Sequence, residues 1–202
     1  MAAVILYGCG GHARSIINVI LEKKTREEIL LVDEKAKDGE IILGCRAQRE
    51  YILQENDNYI IAVGDNGGRE KLYQKLLFEQ RGHCMTVISG RACVGIDTII
   101  GRGVFIASAA YIGPQAVIGD NTIINTGSII EHEVRVGSNT HIAPHVTVCG
   151  RTSIGNNVLC GAGSILIDKV HICDNVIIGA GAVVKEDIIE SGTYVGVPAR
   201  KV

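Results

Sequence analysis

Residues 111–136 read YIGPQAVIGDNTIINTGSIIEHEVRV, and a branched aliphatic falls on every sixth position: Ile112, Ile118, Ile124, Ile130 and Val136. The register extends outward on both sides. Upstream it holds at Ile88, Val94, Ile100 and Ile106; downstream at Ile142, Val148, Ile154, Cys160, Leu166, Ile172, Ile178 and Val184, with no insertion. Four residues after each aliphatic a small or β-branched residue recurs, as at Ala92, Thr122, Ser128, Val134 and Ala182. One residue after it the chain is usually glycine, as at Gly95, Gly113, Gly137, Gly155, Gly161 and Gly179. A six-residue unit is too short for a helix–turn–helix repeat, but it accommodates one short strand and a corner, and three units close a triangular coil. The pattern predicts a parallel β-solenoid whose aliphatic and small positions point inward, as strand alternation requires. The recurrent glycine is read as the residue that lets the backbone turn tightly. An ordinary sandwich would show alternation broken by irregular turns.

The chain has 202 residues and a formal net charge of −2, with an isoelectric point near 6.3. That length allows one large or two modest domains. The charge balance gives no footprint for nucleic acid or an anionic membrane. The N-terminal apolar run Val4–Tyr7 is too short for a signal or a membrane span. Seven cysteines show no CxxC or Cys/His ligand spacing, which reads as reduced thiols in a cytoplasmic protein with no metal site.

Ahead of the solenoid, Val4–Tyr7, Ile29–Val32 and Tyr59–Val63 read as strands, with helices from about Ala13 to Lys24 and from Arg69 to Gln80. The first helix is expected to bury Ile16, Ile17, Ile20 and Leu21. Strand–helix–strand alternation predicts a small α/β, Rossmann-like domain over residues 1–85, then the solenoid over 86–184 and a C-terminal cap over 185–202. Gly8-x-Gly10-x-x-Ala13 after a strand, with Asp33 downstream, fits a nucleotide-binding turn. Bare amides at a helix N-terminus favour a phosphate or pyrophosphate. A turn that needs glycine for geometry alone is the competing reading, and the half-sized domain disfavours NAD.

The six-residue pattern takes polar replacements at Asn125 and Glu131, within Asn125-Thr-Gly-Ser-Ile-Ile-Glu-His-Glu133. Glu131, His132 and Glu133 fall on the outward side of a corner, and His141, just before an inward isoleucine, faces outward too. An imidazole flanked by carboxylates has one nitrogen held and the other free to take a proton. No serine or cysteine sits in a nucleophile-elbow context, so a covalent acyl-enzyme is not indicated. A solvated corner histidine is the bland alternative; adjacent residues rarely converge on one zinc ion.

The repeat, the turn Tyr7-Gly-Cys-Gly-Gly-His12 and the ending Val195-Gly-Val-Pro-Ala-Arg-Lys201 resemble bacterial left-handed β-helix acyltransferases of the PglD/NeuD type. The resemblance spans the chain and is most specific at 125–133, at Ile61-Ala-Val-Gly-Asp-Asn66 and at Gly196-Val-Pro-Ala199. It implies a homotrimer with sites between subunits that transfers acetyl from acetyl-CoA to a sugar. PglD-like members acetylate the 4-amino group of a UDP-linked 4-amino-4,6-dideoxy sugar; NeuD-like members O-acetylate sialic acid. Carried over, His132 is the general base, Glu133 its orienting carboxylate, and Asn125 and Glu131 line the pocket. Gly10, Gly11, His12, Asp33, Glu34, Lys35, Gly64 and Asn66 meet the nucleotide sugar. His141, Gly150, Gly161, Ala162, Gly179, Ala180 and Pro198 meet acetyl-CoA. Asp33-Glu34-Lys35 departs from the two aspartates of the PglD-like pattern, so another base could replace uracil, whereas Gly-Gly-His favours the amino-sugar branch. A non-catalytic nucleotide-sugar-binding solenoid and an NAD-dependent dehydrogenase are the readings from other classes.

Overall fold

The computed structural model describes residues 3–22, 28–37 and 39–202. The N-terminal part is a six-stranded sheet built from β1 (Val4–Tyr7), β2 (Ile29–Val32), β3 (Ile41–Ile42), β4 (Cys45–Gln48), β5 (Asn58–Ile61) and β6 (His83–Cys84), in the order β3-β4-β2-β1-β5-β6. Only the β3–β4 pair is antiparallel. Alternation sends Val4 and Leu6 to one face, against Ile16, Ile17 and Ile20 of helix α1 (Gly11–Glu22). It sends Ile5 and Tyr7 to the other, against Tyr73 and Leu76 of helix α2 (Asn66–Glu79). Helix α1 starts at Gly11, two residues before the position read from sequence; its expected end at Lys24 lies outside the described residues. Leu21 is 45 % exposed and Val19 takes the buried place expected of it. The β3–β4 hairpin and β6 escape the sequence reading because strands of two to four residues carry too little periodicity.

From Val87 the chain winds as a triangular prism, each strand pairing in parallel with the strand 18 residues on, as Phe105 with Ile123 and Val117 with Arg135. The first face stacks Val87–Ile88, Phe105–Ile106, Ile123–Ile124, His141–Ile142, Leu159–Cys160 and Val176–Ile178; the second runs from Cys93–Val94 to Val183–Val184; the third runs from Ile99–Ile100 to His171–Ile172. The six-residue aliphatics from Ile106 to Val184 fill the interior together with Val104, Ala116, Val134, Val146 and Ala182. Inward threonines stay satisfied, since Thr122 and Thr140 each donate to a carbonyl of the next coil, at 2.9 Å. Gly192–Val195 adds a strand beyond Val176–Ile178 and closes the open end.

The glycine after each aliphatic is needed for a reason other than turning. A Cβ at Gly137 would sit 2.5 Å from the Gly155 carbonyl carbon, and one at Gly113 would sit 2.6 Å from the His132 nitrogen, so these glycines let successive coils touch. The left-handed backbone that turns the corners lies two residues further on, at Asp97, Ala109, Gln115, Asn121, Glu133, Asn139, His145, Arg151, Asn157, Lys169 and Asn175, with φ between 55° and 63°, and at Gly103, Gly127, Gly163 and Gly181.

The two parts share one buried seam. Helix α1 packs between its own sheet and Val87, Phe105 and Ile123 on the first face. Arg69 of α2, 1 % exposed, donates to the carbonyls of Asn121 and Asn139 on neighbouring coils at 2.9 and 2.6 Å and to that of Gly64 at 3.0 Å. Among the described residues no helix is long and apolar enough to cross a membrane.

Candidate active site

Glu131, His132 and Glu133 form the corner between Ile129–Ile130 on the second face and Arg135–Val136 on the third. The His132 side chain is 45 % exposed, and its Nδ1 lies 3.0 Å from Glu133 Oε2. The ring lies across Gly150, one coil on: a Cβ there would come within 2.6 Å of Nε2. Glu133 Oε2 also accepts from Arg151 Nε at 3.0 Å. The hydrogen bonds from His132 and then Arg151 hold the Glu133 carboxyl below its ordinary range. Glu133 is therefore a carboxylate, the imidazole nitrogen facing it carries the proton, and Nε2 is left as the acceptor.

A second cluster occupies a different corner. Asn125 begins the turn from the first face to the second, and its Nδ2 lies 3.3 Å from Nε2 of His141. His141 Nδ1 lies 3.3 Å from the Gly64 carbonyl in the loop after β5. With the amide and the carbonyl at its two ends, His141 is the neutral Nδ1–H tautomer. Burial, reinforced by the Arg69 charge, lowers its pKa to about 4. His141 thus leaves the prism as expected but enters the seam, where Gly64, Asn66, Asn157, Leu159 and Ile177 line a groove of about 550 Å³ with it. His132 and Asn125 stand at opposite ends of the second face, on the order of 15–20 Å apart from the rise of an extended strand. One chain does not bring them together.

The remaining expected residues divide into three places. His12 turns inward: its ring meets Phe105 edge-on at 5.1 Å, its enclosed Nε2 has no hydrogen-bond partner, and burial, then His141 and Arg69, lowers its pKa to about 3. Asn66 is likewise engaged in the seam, donating to Val158 O at 3.0 Å and accepting from Arg69. Asp33, Glu34 and Lys35 line a cavity of about 500 Å³ with Tyr7, Gly8 and Val63. It opens at the carboxyl ends of β1, β2 and β5, where the strand order reverses, the usual ligand crevice of such a sheet. Asp33 already accepts from the backbone N–H groups of Cys9 and Lys35, at 3.0 and 2.9 Å. Gly10 and Gly11 are exposed at the start of α1 and nothing would lie within 4 Å of a Cβ on either.

Gly161-Ala162 and Gly179-Ala180 stack on the Asn125 corner in successive coils, followed by Gly163 and Gly181, whose surroundings are open. Gly150 belongs instead to the His132 corner. Pro198 is exposed in the tail that Val183 and Ala199 hold against the last coil of the second face. Sequence reasoning missed Arg151 and Arg69. Arg151 was findable, because it lies 18 residues after Glu133 and so stands on the same corner one coil later.

Residues 3–76 match the family described as PglD N-terminal domain, and residues 97–132, 115–150 and 151–186 match the bacterial transferase hexapeptide repeat. The acetyltransferase domain of PglB from Neisseria gonorrhoeae superposes with a TM-score of 0.94 at 24 % identity, over 100 % of both chains. A perosamine N-acetyltransferase variant from Caulobacter crescentus, in complex with CoA and GDP-perosamine, superposes at 0.90 with 29 % identity, over 100 % of this chain and 97 % of that one. PerB from the same organism, with the same two ligands, gives 0.88 at 28 %, over 100 % and 98 %. Comparison with curated proteins finds no match. The chain belongs to the PglD-type hexapeptide-repeat sugar acetyltransferases, and its solenoid is the left-handed β-helix of that fold. It is accordingly an acyltransferase enzyme.

Proposed function

We propose that this enzyme transfers acetyl from acetyl-CoA to the 4-amino group of a nucleotide-linked 4-amino-4,6-dideoxy sugar, serving bacterial glycan or glycoprotein sugar biosynthesis. The observation that carries the reading is the imidazole of His132, with Nδ1 held by Glu133 and Nε2 presented at an exposed corner. The sugar nitrogen attacks the thioester carbonyl while Nε2 takes its proton. The tetrahedral centre then collapses, the carbon–sulfur bond breaks, and the proton passes to the departing thiolate of CoA. The products are the acetamido sugar and free CoA, with no covalent enzyme intermediate.

The reading takes the enzyme to be a homotrimer. The second face carries an outward, mostly apolar row of Tyr111, Ile129, Thr147, Ile165 and Val183, with Ile129 and Ile165 37 % and 40 % exposed. Its two edges carry the two half-sites. Three copies packed by that face about a common axis bring the His132 corner of one against the Asn125 corner of the next. The small residues Gly161, Ala162, Gly179 and Ala180 then border the pantetheine arm, and the Asp33–Lys35 crevice takes the nucleotide.

UDP is the leading nucleotide by the PglD-like pattern. GDP is a second reading, favoured by the departure of Asp33-Glu34-Lys35 from the two aspartates of the PglD-like pattern and by the two matches that hold GDP-perosamine. The test offers acetyl-CoA with UDP-, dTDP- or GDP-linked 4-amino sugars, or free sialic acid, and follows thiol release. His132→Ala should lower turnover by about 10²–10⁴-fold with little change in KM. Full activity in that variant, or turnover of sialic acid alone, refutes the assignment.

A further inference from the structure

Arg151 answers a question that the His132–Glu133 pair leaves open. Glu133 sits on the turning residue of its corner, with φ of 58° and its side chain 44 % exposed. An exposed carboxylate on such a corner has many rotamers, and nothing in the Glu133 backbone selects the one that faces His132. Arg151 stands on the equivalent turning residue of the next coil, with φ of 59°, and its Nε reaches the same carboxylate oxygen, Oε2, that faces the imidazole. Both residues accept a backbone that a Cβ disfavours, where the neighbouring corner column uses asparagine at 121, 139, 157 and 175.

We infer that Arg151 is a positioning residue for this acetyl transfer: it fixes Glu133 Oε2 against Nδ1 of His132 and shares that oxygen's charge, so that the His132 ring is held in one orientation. This rests on the reading of His132 as the base. A carboxylate that faced the imidazole alone would stabilise the imidazolium more strongly, and the guanidinium 3.0 Å from that carboxylate both withdraws its charge and repels a second cation. The charged groups around His132 are few. Glu131 and Glu133 stand on its own corner, Arg135 on the following strand, Arg151 on the coil above, and Asp168 and Lys169 on the coil beyond that. The coil below contributes Gly113, Pro114 and Gln115, none of them ionisable. Arg151 is the one cation among these that holds Glu133. Lysine is an incomplete substitute, because its ammonium supplies charge without the directed Nε–H of a guanidinium.

The experiment compares Arg151→Gln, Arg151→Lys and His132→Ala in the intact enzyme, measuring kcat, KM for the nucleotide sugar, and the dependence of kcat/KM on pH from 5.5 to 9. Arg151→Gln is expected to lose about 10-fold in kcat through misalignment, with KM within twofold and the acid limb of the profile displaced to higher pH. Arg151→Lys should keep the limb in place and recover part of kcat. If Arg151→Gln has wild-type kcat and an unmoved limb while His132→Ala is inactive, this inference falls and the base assignment stands. A loss of kcat that tracks a loss of thermal stability, with the limb unmoved, overturns it as well. Wild-type turnover in His132→Ala overturns both.

Discussion

Substituting Gly150 by alanine separates the proposed catalytic corner at His132 from the scaffold that carries it. The added Cβ would lie 2.6 Å from His132 Nε2 and 2.7 Å from Cε1, whereas ordinary contact begins at 3.4 Å, so the ring must retreat by at least 0.8 Å. The obstructed group is the far end of a side chain, which can rotate away at a cost of about 0.5–1.5 kcal/mol for a strained torsion. Replacing glycine at a backbone that alanine tolerates returns about 0.4–1 kcal/mol by restricting the unfolded chain. The melting temperature should therefore move by less than about 3 °C. Catalysis has no such tolerance: a displacement near 1 Å at the reacting geometry costs on the order of 10²-fold. Thiol release from acetyl-CoA should fall about 100-fold in kcat, while unfolding followed by circular dichroism stays near wild type. Gly137→Ala is the control. Its Cβ would come 2.5 Å from backbone of the next coil, so stability should drop by about 1–3 kcal/mol or more, at the corner beyond the third face rather than at the His132 corner. Wild-type kcat in Gly150→Ala would refute the placement of the ring or its role; a collapse in stability there would refute the argument that the side chain yields.

Three further outcomes follow from the seam and the apolar face. Arg69→Met leaves the carbonyls of Gly64, Asn121 and Asn139 without their donor and should cost roughly 3–5 kcal/mol, read as a fall of about 6–20 °C in Tm. His12 and His141 are neutral when folded, with pKa values near 3 and 4 against an ordinary 6.5. The unfolded chain takes up protons that the folded chain refuses, so stability falls as pH drops from about 6.5 towards 4. The slope reaches at most about 1.4 kcal/mol per pH unit for each histidine. Urea titrations at pH 7 and 5 measure it; His12→Phe should halve it, and an unchanged slope would place the protons elsewhere. Ile165→Glu puts a charge in the apolar row of the second face and should dissociate the proposed trimer, with loss of activity, in sedimentation runs. A monomeric wild type would refute that packing.

The solenoid was legible because its signal is summed over many repeats: Ile106, Ile124 and Ile142 occupy equivalent places, and no single substitution such as Cys160 erases the period. Its pitch of 18 residues per coil follows from the same count. The role of glycine was not legible, since a residue chosen to admit the neighbouring coil looks in sequence like one chosen to turn the chain. His132 could be placed outward from its register alone. The destination of His12 and His141 could not, because whether an outward side chain meets solvent or a second domain depends on how α1 and α2 dock. Asp33 shows the same limit: strand-end spacing marks a crevice but cannot tell that its oxygens already serve the Cys9 and Lys35 amides.

The separation of His132 from Asn125 across the width of the second face has a consequence at the level of alleles. Two variants expected to be inactive, His132→Ala and Asn125→Ala, each retain the half that the other lacks. Refolded together in the proposed trimer, they should regenerate intact pairings across some subunit boundaries, about one in four by random assortment. Neither variant recovers anything by mixing with itself. Activity that emerges only from the blend would count the boundaries at which two polypeptides, each defective, jointly compose a competent catalyst.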